Sequence, residues 1–175
     1  MADELDFSCE RSVTGEELLL GSGRLERLAW LNRLIPSGDL FFLQDGEFSK
    51  LVFQEAVDSF VNGQFIAATV LGFSFIERTI AGRLSHVGDK KLALSKSGEL
   101  LHAALQRRWL TETEHSSLDA LLKVRNPIIH FREPLHAERP EIRALYQAKT
   151  PKLLVESDAR KVLDAAIRLL EKTSI

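Results

Sequence analysis

Apolar residues recur at three- and four-residue spacing along almost the whole chain, and no run alternates strictly between apolar and polar. A chain patterned this way buries its apolar side chains on helix faces, because a half-buried strand needs a period of two. The expected fold class is therefore all-α. The chain has 175 residues, 45% of them hydrophobic. A chain of this size buries roughly 70% of its unfolded surface, which suffices for a core without disulfide or metal. Its one cysteine, Cys9, excludes a disulfide within the chain.

Breakers divide the pattern into elements. A first helix is expected over Glu16–Leu34, stopped by Ile35-Pro36-Ser37-Gly38 and followed by a short apolar plug, Leu40-Phe41-Phe42-Leu43. Helices over Phe48–Val61 and Gln64–His86 are separated by the stop signal Asn62-Gly63. A shorter helix covers Gly98–Arg108, and Trp109-Leu110 forms a corner. Thr111-Glu112-Thr113-Glu114 has the spacing of a capping box and opens the next helix. An irregular stretch containing Pro134, Pro140 and Pro151 follows, with one short helix around Glu141–Gln147. The last helix, Asp158–Lys172, carries the apolar stripe Ala159, Val162, Leu163, Ala166, Leu169 and Leu170.

Two stripes contain a charged intruder. Ile66, Val70, Phe73, Glu77, Ile80 and Leu84 share one line of the long helix, and Leu118, Leu121, Leu122, Arg125 and Ile129 share one line of the capping-box helix. A buried charge is costly unless paired, so Glu77 and Arg125 are natural partners across facing stripes. Such a pair can serve only to dock two helices. Asn126 follows the arginine, then Pro127, then His130, a residue type that titrates near neutrality. Residues five apart on an unbroken helix point roughly 140° apart. Pro127 is expected to break the helix and let Arg125 and His130 converge on one pocket, with Asn126 supplying donors to freed carbonyls. Taken alone, His130 also suits a half-buried histidine bonded to a backbone carbonyl.

Arg125-Asn126-x-x-x-His130 after a leucine-rich helix resembles the signature of HEPN (higher eukaryotes and prokaryotes nucleotide-binding) domains: an arginine, a polar residue, and a histidine a few positions on. The resemblance spans roughly Gln64 to Lys172, with Phe65–Leu84 similar to the family's long central helix and Glu77 similar to its acidic residue. It implies a HEPN-like helical bundle over residues 64–175; residues 1–63, which the resemblance does not cover, are expected to form an N-terminal helical extension packed on it. It further implies a homodimer in which two motifs face each other, acting as a metal-independent endoribonuclease in toxin–antitoxin, defence or RNA-processing systems. Arg125 would hold the phosphoryl oxygens and His130 would move protons, supported by Asn126, Glu77 and the nearby cation Arg132. One toxin branch carries a tyrosine two residues after the histidine as a modification site; Arg132 stands there in this chain. The alternative function is a non-catalytic helical module that binds a nucleotide, RNA or a protein partner such as an antitoxin.

Other chemistries find less support. His130, Glu133 and His136 have no recognised metal spacing, and no metal or other cofactor is expected. Gly21-Ser22-Gly23 lacks the strand and lysine of a phosphate loop, and Arg107-Arg108-Trp109 suits a helix end as well as RNA stacking. With 23 basic and 25 acidic residues, a formal net charge of −2, any RNA contact must be local. Met1 to Asp6 is acidic with no apolar segment behind it, and Phe65 to Ile76 is interrupted by Thr69, Gly72 and Ser74. The expectation is a cytoplasmic protein with no signal peptide and no membrane span.

Overall fold

The computed structural model describes residues 15–35 and 46–173, and among them every regular element is a helix. The eight helices are α1 (Gly15–Asn32), α2 (Glu47–Val61), α3 (Phe65–His86), α4 (Lys90–Ala93), α5 (Ser97–Gln106), α6 (Glu112–Ile129), α7 (Pro140–Tyr146) and α8 (Pro151–Thr173). The all-α reading therefore holds for the described residues. The expected turn after Ile35, the Leu40–Leu43 plug and Cys9 lie outside them.

The fold is organised around α3. It starts after Gly63, whose φ of 77° is a conformation that favours glycine and lets α2 reverse into α3. Ala68, Thr69, Gly72, Phe73, Phe75, Ile76, Thr79, Ile80 and Leu84 of α3 are buried, more than one helix face can supply. Helices α2, α8, α6 and α5 cover it from different sides. The two buried threonines lose nothing by this, because Thr69 and Thr79 donate to the carbonyls of Phe65 and Phe75 at 2.9 Å each. By length and composition the 22-residue α3 could cross a membrane, which the sequence reading did not anticipate; here half of its apolar window is buried within the fold. Ile66, placed on the buried stripe from sequence, is 57% exposed, because the stripe leaves the bundle at the start of α3.

Two apolar clusters meet along this axis. One joins Leu31, Ala56, Phe60 and Phe65 to Ala159, Leu163 and Ile167. The other joins Phe73, Ile76 and Leu84 to α5, to Leu118 and Leu121 of α6, and to Val162, Ala166 and Leu169 of α8. α3 and α8 approach closely at Gly72, where a Cβ would meet Val162 Cγ1 at 2.8 Å and Leu163 Cδ2 at 3.5 Å.

Helix ends explain where the boundaries differ from expectation. α8 begins at Pro151 and not at Asp158, because proline at the first helical position sacrifices no bond and Thr150 Oγ1 accepts from the Leu153 amide at 3.3 Å. Leu154, 1% exposed, extends the apolar stripe into that added segment. Asp158 then lies inside α8, 2% exposed, and receives both Arg143 Nη1 and Nη2 at 2.8 and 3.0 Å, which docks α7. The capping box at α6 is present: Thr111 Oγ1 accepts from the Glu114 amide at 3.2 Å, and Glu114 Oε2 accepts from the Thr111 amide at 2.8 Å. Lys172 of α8 also bonds to Glu114, so the box ties two helices together.

Two outcomes follow. Gly72→Ala, although alanine favours helix by about 1 kcal/mol, is expected to lower stability by a net ~1–2 kcal/mol in urea titrations, because Val162 is stiff and must move. Adding Val162→Ala should recover part of that loss. The Lys172 hydrogen bond, then the Thr111 amide, hold the Glu114 carboxyl below its ordinary value. A lowered carboxyl pKa gives stability that is present above the unfolded value and lost as pH falls through the folded one. Glu114→Gln should therefore reduce stability near neutrality and flatten the acid limb of a melting-temperature profile; an unchanged acid limb would contradict the linkage.

Candidate functional site

The two charged intruders meet. Arg125 Nη2 on α6 donates to Glu77 Oε1 at 2.9 Å and Oε2 at 2.7 Å on α3, with the side chains 12% and 18% exposed. A guanidinium and a carboxylate this far from water stabilise each other only because the geometry is close and charge-assisted. The Phe73 ring lies 5.4 Å from the guanidinium carbon, within cation–π range. Arg125 Nε is buried with no hydrogen-bond partner among the described residues. Nη1 reaches Asn126 Oδ1 at 3.4 Å, at the long limit of a hydrogen bond, and is the outer donor least committed to the fold.

Ser97 belongs to this site and was missed from sequence. Its hydroxyl donates to Glu77 Oε1, so the first residue of α5 fixes the carboxylate that fixes Arg125. The available signal was a serine at the start of an expected helix, which reads as a cap. In the structure its side chain makes no cap bond, and Lys96 occupies the N-cap position.

His130 requires a correction. Pro127 was expected to break the helix, yet α6 runs through it to Ile129. The proline lies in the last turn, where it removes one bond to the Lys123 carbonyl, and the His130 amide still donates to the Asn126 carbonyl at 2.9 Å. The chain leaves the helix at His130 itself, which has extended backbone, φ −122° and ψ 134°. Its side chain is exposed. Among the described residues, no hydrogen bond joins the imidazole to Arg125 or to any other group. Asn126 turns its amide oxygen to Arg125 and not a donor to free carbonyls.

Arg132 is tied down. Its Nη1 donates to the Phe131 carbonyl at 3.1 Å, its Nε lies 3.7 Å from Glu138, and its own carbonyl accepts from Arg139 Nη1 at 3.2 Å. Arg139 in turn bonds to Glu141. The structure thus gathers Glu77, Arg125, Asn126 and Ser97, and sets His130 and Arg132 on the adjoining loop. On that loop and on the helices either side of it, α6 and α7, several apolar side chains face solvent: Ile129, Phe131, Leu135, Leu145 and Tyr146 are 41 to 85% exposed.

A groove of about 460 Å³ lies between α6 and α8, floored by Leu110, Leu118, Leu121 and Leu169, but none of Glu77, Arg125, Asn126 or His130 lines it. Among the described residues no group of three or more His, Cys, Asp or Glu side chains is placed to hold a metal ion. In comparisons with known proteins, no family model, no curated protein and no solved structure matches the chain.

The buried pair predicts an asymmetric response to mutation. Glu77→Ala should cost about 2–3 kcal/mol in urea titrations, toward the low end for a buried pair because both groups keep some solvent. The double variant Glu77→Leu/Arg125→Met should recover most of that loss. Equal losses in the single and double variants would show that the uncompensated guanidinium is not the cause.

Proposed function

We propose that this chain is a metal-independent endoribonuclease with a HEPN-like helical bundle, acting as a homodimer in the cytoplasm. The observation that carries the reading is the presence of two unlike groups at one helix end. Arg125 is held in place by Glu77 with Nη1 loosely engaged, and one turn on His130 presents an exposed imidazole at the cap. RNA supplies its own nucleophile, so the protein need only move protons and stabilise charge on phosphorus. In the proposed reaction the 2′-oxygen bonds to the adjacent phosphorus as the bond from phosphorus to the 5′-oxygen breaks. His130 accepts the hydroxyl proton, and His130 of the partner subunit returns a proton to the leaving 5′-oxygen. Arg125 Nη1 and the Asn126 amide would hold the phosphoryl oxygens. The exposed Ile129, Phe131, Leu135, Leu145 and Tyr146 support a second copy docking against this loop, which would bring two histidines together. Arg132 would contribute charge to the RNA path, tempered by Glu138.

A second reading is a non-catalytic helical module that binds a nucleotide, RNA or a protein partner. What favours it is the chelation of Arg125 Nη2 by both Glu77 oxygens, the geometry of a structural strut.

Purified wild type should cleave single-stranded and structured RNA in the presence of a chelator. His130→Ala should lose at least about 100-fold in rate with an unchanged melting temperature, since the side chain is exposed. Arg125→Lys should also lose activity, because lysine lacks the second nitrogen. Equal survival of RNA with wild type and His130→Ala between about pH 6 and 8, a window set around an ordinary histidine, would end the nuclease reading. A strictly monomeric protein at working concentration would end the two-histidine version.

A further inference from the structure

The connection between α3 and α5 carries three lysines that the fold does not use. Lys90 and Lys91 lie on the single turn of α4, and Lys96 is the N-cap of α5. All three are exposed, and among the described residues none of their ammonium groups has an ion-pair or hydrogen-bond partner. The connection itself is firmly built. Asp89 accepts from the Leu92 amide at 3.3 Å and from Arg107 Nη2 at 2.6 Å, and Leu92 and Ala93 rest on the core. The strap is therefore anchored by its acid and its apolar residues, and its cations are left facing water. Leu94 and Val87 beside them are 89% and 57% exposed.

The strap ends at the candidate site. Lys96 immediately precedes Ser97, whose hydroxyl bonds to Glu77 beneath Arg125. On the loop and helix that follow α6, the cations are spent: Arg132, Arg139 and Arg143 each face a carboxylate, on Glu138, Glu141 and Asp158. The strap's lysines, by contrast, face no carboxylate among the described residues, and Lys96 is the one that adjoins the site. Glu99, exposed in the first turn of α5, is the opposing charge on that side and leaves the strap net basic.

We infer that residues 87–96 bind the phosphate backbone of the single-stranded RNA flanking the scissile bond, through Lys90, Lys91 and Lys96, with Leu94 resting against a base or ribose face. This rests on the endoribonuclease reading and adds to it the path of the substrate. An anionic lipid surface is the competing occupant of a basic strap with exposed apolar residues. Lipid-binding segments commonly carry about four to eight basic residues, more than stand here, and a lipid site would have no reason to adjoin Glu77 and Arg125.

The test uses a single-stranded 2′-O-methyl oligonucleotide, which has no attacking hydroxyl, and the variant Lys90→Gln/Lys91→Gln/Lys96→Gln in the full chain. For wild type, the logarithm of affinity should fall linearly with the logarithm of salt concentration. Each lysine on a single strand contributes about 0.7 to that slope, so the triple variant should lose about 2. With cleavable RNA it should raise KM and leave kcat unchanged. Lys50→Gln/Lys152→Gln, which removes exposed lysines elsewhere, should change neither. If wild type binds or cuts RNA and the triple variant keeps the full salt slope, the strap inference is overturned while the nuclease reading stands. If wild type neither binds the oligonucleotide nor cuts RNA, both fall. Lysine-dependent binding to phosphatidylserine vesicles without oligonucleotide binding would assign the strap to a membrane surface and overturn the inference.

Discussion

The Glu77 carboxylate is the point on which three helices converge. It belongs to α3, chelates Arg125 of α6 and accepts a hydrogen bond from Ser97 of α5. Its neighbours on the α3 stripe, Phe73 and Ile80, are buried, so neither charge could remain there without the other. The consequence is geometric as well as energetic. A hydrophobic stripe tolerates a shift of one helix along another, whereas one nitrogen seated between two oxygens at 2.9 and 2.7 Å does not. That contact fixes the register of α6 on α3 near its C-terminus, while Leu118, Leu121 and the Glu114–Lys172 bond hold the rest of the helix.

The end of α6 then decides what stands beside the guanidinium. Pro127 removes one hydrogen bond too close to the terminus to break the helix, so Arg125, Asn126 and Ile129 keep helical positions. The turn comes at His130, where extended backbone carries the chain away. An imidazole placed in this way is presented outward and not folded back onto Arg125. Chemistry that needs both groups on one phosphate must therefore bring the substrate to them, or bring a second copy's histidine into reach. The exposed apolar residues on either side of His130, Ile129 and Phe131, fit the latter geometry.

Much of the scaffold was legible because its signals are local. The capping box at Thr111 and the Asn62-Gly63 stop act within one or two turns and are found where the pattern put them, and the apolar stripes hold except at their ends, where Ile66 and Ile129 are exposed. The pairing of Glu77 with Arg125 was legible for a different reason: two lone charges on apolar faces have few ways to be satisfied. The failures share a cause as well. Pro151 and Pro127 were read as breakers, but a proline's cost depends on its distance from the helix end, which the sequence does not mark. α4 is too short for periodicity to reveal. Ser97 and the Arg143–Asp158 pair depend on which helices touch, and no spacing rule contains that information.

Net charge hides a division of labour among the cations. Arginines here serve the fold: Arg27 donates to the Val61 carbonyl, Arg78, Arg83 and Arg160 lie over aromatic rings, and Arg143 docks α7. Planar guanidinium suits such fixed, multidentate or stacked contacts, while a lysine ammonium prefers water. A chain that engages most of its described arginines within the fold can be acidic overall and still offer its lysines to a polyanion. By the same logic Arg125 begins as a structural arginine. It differs in keeping an outer nitrogen whose bond, to Asn126, lies at the limit of hydrogen-bond length. A phosphoryl oxygen that replaced that long contact would gain a charge-assisted bond without disturbing the Glu77 clamp. Under the proposed function, anchoring one nitrogen and leaving the other exchangeable would let a single residue hold two helices together and still bind a substrate.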